Sequence, residues 1–179
     1  MEIPIKKPSE VLVYGYLGRF SKEKGILELL DFFSSINSKL FLAGNGPLEN
    51  EVADLIKSKP TIVNLGVFQT SEMATFFNQI DVLIIPSFEE AGPLVAIEAM
   101  AAGKIILATK VGALEERLAE TQNQFWFDIN NKKSFEESIS KIETLDTETF
   151  YQIQKQLRKR YLENYSNEKI KNDYKKLLP

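Results

Sequence analysis

Asp81-Val82-Leu83-Ile84-Ile85-Pro86-Ser87-Phe88-Glu89-Glu90-Ala91-Gly92-Pro93-Leu94-Val95-Ala96-Ile97-Glu98-Ala99-Met100-Ala101-Ala102-Gly103 is the stretch on which the fold turns. It opens with a short apolar run at 81–86, which predicts a buried strand. A loop follows, and then a helix over 93–102, with Pro93 suited to the first helical position and Gly103 to the residue just past the end. Every residue of that helix is apolar except Glu98, a pattern that predicts burial all round with one carboxylate inside. A lone buried carboxylate is costly unless something hydrogen-bonds to it. Its partner is an internal Arg or Lys, a set of backbone amides, or a ligand. The same helix start leaves the N–H groups of Leu94 and Val95 free, which suits an anion.

The strand, loop and helix unit repeats on both sides of this stretch. Short apolar runs at 11–17, 39–43, 61–65, 104–109 and a weaker one at 124–127 alternate with helical stretches at about 22–37, 48–58, 71–79, 113–120 and 134–144. Alternation of this kind builds a parallel sheet, so the expected class is α/β, a single Rossmann-like doubly wound sheet of about six strands. From Thr147 onward no further strand is expected, only a polar helix to about Tyr165 and a second helix to Leu178. Residues 1–179 therefore read as one domain in which 147–179 form a helical C-terminal tail.

Composition narrows the chemistry. With 179 residues, 44% hydrophobic and 26% charged, the chain has the balance of one globular domain. It contains no His and no Cys, which excludes a Ser-His-Asp triad, a Cys-His pair, a thiolate zinc site and a disulfide framework. Carboxylates, Lys, Arg, hydroxyls and backbone amides remain. A net charge of −3 is too balanced for a nucleic-acid binder, so no nucleic-acid partner is expected. The charge is uneven, however: residues 155–176 carry eight basic and three acidic side chains, net +5, on a remainder of −8. The first twenty residues lack an apolar signal core, and no stretch approaches the ~18 apolar residues of a membrane span, so a cytoplasmic location is expected.

In an open parallel sheet the ligand crevice lies outside the carboxyl ends of the strands, which directs attention to the loops after the first and fourth strands. The first reads Gly15-Tyr16-Leu17-Gly18-Arg19-Phe20-Ser21-Lys22-Glu23-Lys24-Gly25, glycines followed by cations at the mouth of a helix. Arg19 and Lys24 there are either phosphate ligands or solvated cations of a turn. Gly44-Asn45-Gly46-Pro47-Leu48-Glu49 begins like a dinucleotide fingerprint but has Glu where the third glycine belongs, and it follows the second strand. Gly103-Lys104 is no P-loop, because Ile105 takes the Ser/Thr position. Arg19 and Lys24 stand across the crevice from Leu94 and Val95, so the two loops can clamp one diphosphate.

These segments, in this order, resemble the C-terminal, sugar-nucleotide-binding domain of retaining GT-B glycosyltransferases of the family 4, or group 1, type. The resemblance rests on Gly18-Arg19 with Lys24-Gly25, Gly44-Asn45-Gly46-Pro47, Asn64-Leu65-Gly66-Val67, Asp81-Val82-Leu83 into Pro86-Ser87, the pair Glu90 and Glu98 with seven residues between, Glu98-Ala99-Met100-Ala101-Ala102-Gly103, and Val111-Gly112-Ala113. It implies one half of a GT-B fold and transfer of a sugar from a UDP-, GDP- or ADP-sugar to an acceptor with retention, in polysaccharide or glycolipid assembly. It further implies that Gly18, Arg19 and Lys24 bind the donor pyrophosphate with Gly92, Leu94 and Val95 opposite. Glu98 holds the ribose hydroxyls, Glu90 acts on the transferred sugar as the catalytic carboxylate, and Val67 and Phe68 flank the nucleobase. No cofactor and no metal are implied.

Two departures from the family pattern stand out. Gly92-Pro93 occupies the place of a common Phe-Gly, which removes one backbone donor near the sugar, and the usual Asn-Gly turn is missing near 122–127. The resemblance implies a separate N-terminal acceptor-binding domain, expected to lie outside these residues, so the isolated domain is expected to be inactive in transfer. The basic C-terminal helices are expected to contact that missing half or, alternatively, an anionic membrane at its inner face. Competing readings are a non-catalytic nucleotide-sugar module, one subunit of a split transferase, and a GT-B sugar-nucleotide epimerase.

Overall fold

The computed structural model describes residues 4–177. Six strands, β1 (Val13–Leu17), β2 (Lys39–Ala43), β3 (Ile62–Asn64), β4 (Val82–Ile85), β5 (Ile105–Ala108) and β6 (Phe125–Trp126), form one parallel sheet in the order β3-β2-β1-β4-β5-β6. Between and after them run α1 (Ile26–Phe33), α2 (Glu49–Ile56), α3 (Met73–Gln79), α4 (Leu94–Ala102), α5 (Leu114–Leu118), α6 (Lys132–Glu143), α7 (Thr147–Asn164) and α8 (Asn167–Leu177). The chain winds outward from β1 through β2 to β3, returns through α3, and winds the other way from β4 through β5 to β6. Right-handed crossovers then place α1 and α2 on one face, to which α6 returns, and α3, α4 and α5 on the other. α1 touches α2 and α6, whereas α4 touches α3, α5 and α7. Every residue of β4 and β5 is buried, which is why both read as unbroken apolar runs.

Element ends follow from identifiable groups. The first strand starts at Val13 rather than 11, because the Val13 N–H donates to Asp81 Oδ2 at 3.0 Å while Asp81 N–H donates back to Val13 O at 2.7 Å. The expected helix over 22–37 splits into a 3-10 turn, Lys22–Lys24, and α1, with Gly25 between them at φ 64°. At that angle a Cβ on Gly25 would stand 1.9 Å from the Pro86 carbonyl oxygen, so the position needs glycine for conformation and for clearance. β6 is only two residues long, but the Asn123 amide extends the ladder. It accepts from Ile106 N at 2.8 Å and donates to Ile106 O at 2.7 Å, as a strand neighbour would. That contact sets the register Leu107↔Phe125 in a segment where no Asn-Gly turn is present.

Two expectations are corrected. The helix over 93–102 is not buried all round: Ala96, Ala99, Met100 and Ala102 face the core, but Leu94 is 71% exposed and Ile97, Glu98 and Ala101 are half-buried. An apolar sequence has no polar face to mark which side meets water, so the packing alone selects it. The segment 147–179 is not uniformly a tail either. Phe150, Ile153 and Leu157 of α7 are buried in the main core, and α7 lies along α4. These three apolar positions at helical spacing are hidden in the sequence by the charges around them. Only α8 stands off, with Ile170 and Tyr174 exposed. No helix among the described residues is long and apolar enough to cross a membrane.

Candidate donor-binding site

The strand order reverses between β1 and β4, and a crevice opens there at the carboxyl end of the sheet. Its two walls are stapled together. The Phe88 N–H donates to Glu23 O at 2.9 Å, and Gly25 lies against Pro86. Below them Thr109 Oγ1 donates to Ser87 O at 2.6 Å. Gly112, at φ 56°, packs so closely on the Glu90 backbone that a Cβ would meet its carbonyl oxygen at 1.7 Å. The loop from 86 to 93 is thus fixed from the segment after β1 and from the turn after β5.

Two adjoining cavities make up the crevice, and they meet at Leu17 and Gly18. The larger, of about 670 Å³, is lined by Arg19, the Gly44-Asn45-Gly46-Pro47 turn, Glu49, Val67 and Phe68. Arg19 is exposed, and its guanidinium donates no hydrogen bond and forms no ion pair among the described residues. Its backbone is held instead: Tyr16 Oη donates to Arg19 O at 2.7 Å. Burial, with Glu90 and Glu23 nearby, pushes the Tyr16 phenol well above its ordinary range, so it remains a donor. Phe68 stands edge-on to Phe76, while Val67 projects into solvent at 56% exposure.

The smaller cavity, of about 300 Å³, is lined by Lys24, Ser87, Glu90 and the segment 92–95 at the start of α4. Lys24 Nζ lies 2.8 Å from Glu90 Oε1, and Ser87 Oγ donates to the same oxygen at 2.7 Å. The Glu90 side chain is only 8% exposed. Pro93 is the N-cap of α4, which leaves the amides of Leu94 and Val95 without intrahelical acceptors.

The structure therefore divides the expected site residues. Gly18 joins the two cavities; Arg19, Val67 and Phe68 belong to the larger, and Lys24, Glu90, Gly92, Leu94 and Val95 to the smaller. Lys24 faces a carboxylate rather than standing beside Arg19. Glu98 lines neither cavity. It is half-buried on α4, accepts no hydrogen bond from the described residues, and burial alone raises its pKa. Sequence reading passed over two groups that shape the site, the Tyr16 hydroxyl and the Ser87 hydroxyl. Both lie inside quoted motifs, yet their roles depend on contacts that spacing does not encode.

The fold and this crevice define a class, a doubly wound α/β domain of the GT-B type. Sucrose-phosphate synthase from Thermosynechococcus elongatus superposes with a TM-score of 0.83 at 24% identity, over 98% of this chain and 45% of that one. HepE of Anabaena, solved in complex with UDP and glucose, gives 0.81 at 19% identity, over 93% of this chain and 48% of that one. Both likenesses establish the fold.

The family model for glycosyl transferases group 1 matches residues 2–164, and the chain belongs to that family. Among the curated relatives, the lipopolysaccharide 1,2-N-acetylglucosaminetransferase of Salmonella typhimurium is 35% identical over 131 residues, 64% of this chain and 34% of that protein. The chain spans about a third of the length of the curated relatives it matches.

Proposed function

We propose that this chain is the donor-binding domain of a retaining glycosyltransferase that takes a nucleotide sugar for polysaccharide or glycolipid assembly. The observation that carries the reading is the pair of cavities joined at Gly18, one with an uncommitted Arg19 beside Phe68, the other with Lys24, Glu90 and two free helix amides. The nucleoside occupies the larger cavity, the diphosphate crosses Gly18 toward Leu94 and Val95, and the sugar enters the smaller one beside Glu90. Arg19, Lys24 and the positive end of α4 meet the diphosphate charge. Glu98 lines neither cavity, and its assignment to the ribose hydroxyls rests on the family resemblance and on the hydrogen-bond donors it lacks among the described residues.

Transfer with retention fits this set of groups. The acceptor oxygen bonds to the anomeric carbon as the bond from that carbon to the phosphate oxygen breaks, and the acceptor proton passes to the departing phosphate on the same face. No side-chain base is required. Glu90, fixed by Ser87 and Lys24, orients the sugar hydroxyls. The acceptor binds to a second domain, and transfer requires both.

Calorimetry of the chain against UDP, GDP and ADP tests the reading; UDP is the first ligand because the HepE complex holds it. One of the three should bind, and Arg19→Ala should weaken it roughly tenfold or more, the effect of losing a charged hydrogen bond of ~1.5–3 kcal/mol. Absence of binding by all three would falsify the proposal.

A further inference from the structure

A third cavity, of about 410 Å³, opens at the carboxyl ends of β5 and β6. It shares a wall with the donor crevice. Thr109, which lines it, donates to Ser87 O at 2.6 Å, and Gly112, the residue after Val111 in its lining, packs on the Glu90 backbone, while Ser87 and Glu90 line the smaller donor cavity. The largest side chain in the lining is Trp126, the only tryptophan of the chain. Alternation along β6 decides where the indole points: Phe125 and Phe127 on either side are buried, Phe127 edge-on to Phe135 at 5.1 Å between centroids, so Trp126 takes the opposite face and stays half-buried.

The polar end of the indole is already engaged, since Nε1 donates to Gln124 Oε1 at 3.0 Å. Its ring is left for contact. Lys110 Nζ lies 5.5 Å from the ring centroid, where a cation is drawn by the negative π face. Lys110 does not seal the cavity, because its side chain is 55% exposed and its pair with Glu115 at 2.9 Å is a surface pair that yields at little cost. Polar groups with capacity to spare stand around the ring. Asp128 Oδ1 accepts from the Asn130 N–H at 2.9 Å, but Oδ2 accepts nothing among the described residues. Ser134 Oγ accepts from the Asp128 N–H at 3.1 Å, and its own O–H has no acceptor among the described residues.

We infer that this cavity is a second carbohydrate subsite, taking a neutral pyranose ring on Trp126 with its hydroxyls on Asp128 and Ser134. A pyranose has C–H groups on its flat faces and hydroxyls at its rim. Those C–H groups are positively polarised, as the Lys110 ammonium is, and suit the same π face. Rim hydroxyls donate to Asp128 Oδ2 and accept from Ser134. An apolar floor with a few placed polar groups is the common build of a small-molecule site. Lys110 and Asp128 balance in charge, so the lining has no positive surplus for a phosphate or a uronate. That the ring belongs to the acceptor rests on the donor-binding reading above, which puts the donor sugar across the shared wall, beside Glu90. An acceptor held by a second domain then rests one of its sugar units here.

The emission of the single tryptophan reports on this cavity alone, so the test is a fluorescence titration of the full chain with the methyl pyranosides of glucose, mannose, galactose and N-acetylglucosamine. Sorbitol and glycerol, polyols without a ring, are the controls. At least one pyranoside should shift the emission saturably with a Kd in the millimolar range, and the controls should not. Asp128→Asn, which keeps an oxygen for the Asn130 N–H and removes the charge, should weaken that pyranoside about fivefold or more. Trp126→Leu, followed by saturation-transfer NMR of the same pyranoside, should lose the signal while retaining a cooperative melt. The nucleoside diphosphate that binds the crevice should neither shift Trp126 emission nor displace the pyranoside. No saturable shift, a response equal to that of sorbitol, or a signal that survives in Trp126→Leu overturns the inference. Displacement of the pyranoside by the nucleotide overturns it too, since the cavity then belongs to the donor. Failure of every nucleoside diphosphate to bind, with the pyranoside still bound at Trp126, overturns the donor-binding reading and the assignment to the acceptor, and leaves the sugar subsite standing.

Discussion

Glu98, within an apolar helix, and Lys104, just before an apolar strand, show opposite consequences of burying a charge. Burial raises the Glu98 pKa, so its charged form costs folded-state stability. That cost is absent below the ordinary carboxylate range, near ~4.3, and grows as pH rises past it, because the unfolded chain ionises first. Stability contributed by this group therefore falls with rising pH in that window. Glu98→Gln should remove the fall, hold or raise the melting temperature of the free chain at neutral pH, and weaken a nucleoside diphosphate without weakening pyrophosphate. Equal weakening of both ligands, or of neither, takes ribose recognition away from Glu98.

Lys104 is 2% exposed at the opposite end of the sheet, and burial lowers its pKa to about 8 against the pull of Asp81. Between pH 8 and the ordinary lysine value of ~10.4, the folded chain has released this proton and the unfolded chain has not, so stability rises with pH across that interval. Lys104→Met should flatten the rise in melting temperature and leave nucleotide affinity unchanged. A profile identical to that of the unaltered chain shows that Lys104 carries no buried charge.

Among the elements, α5 is the shortest helix and depends most on a distant side chain. Arg160, 15% exposed, reaches from α7 to two carbonyls at the end of α5 and to Glu120. Cations at a helix carboxyl end meet both the orphan carbonyls and the negative dipole end. Arg160→Ala should cost ~1.5 kcal/mol or more in denaturant unfolding, the range for charged hydrogen bonds. Lys159→Ala, which removes an exposed pair with Glu163 at 3.8 Å, should stay within ~0.5 kcal/mol. Similar costs for the two would show that Arg160 does not hold α5.

For the whole molecule, the boundary of the folded unit falls between α7 and α8. α7 covers α4 with Phe150, Ile153 and Leu157, whereas α8 leaves Ile170 and Tyr174 exposed amid lysines. A chain ending at 165 should unfold cooperatively and bind nucleoside diphosphate nearly as the full chain does. A chain ending at 146 should fail to fold, since it exposes the face of α4 that α7 covers. Leu157→Ala, a milder probe of the same packing, should cost ~2–5 kcal/mol. Circular dichroism melts and calorimetry on the two truncations decide the matter; loss of nucleotide binding by the folded, shorter chain would move α8 into the donor site.

Local features are legible in the residues alone. The alternation of short apolar and longer amphipathic runs fixes six parallel strands, Pro93 and Gly103 bracket α4, and the spacing of glycines and cations marks the loops around the crevice, because caps, turns and strand burial are set by residues a few positions apart. Contacts between distant positions come from packing. Lys24 meets Glu90 across 66 residues, Asn123 pairs with Ile106, and Arg160 holds the end of α5 from α7. The same holds for exposure. The sequence of α4 is apolar on every side and that of α7 is crowded with charge, so neither could reveal its buried face until the two helices were packed against each other.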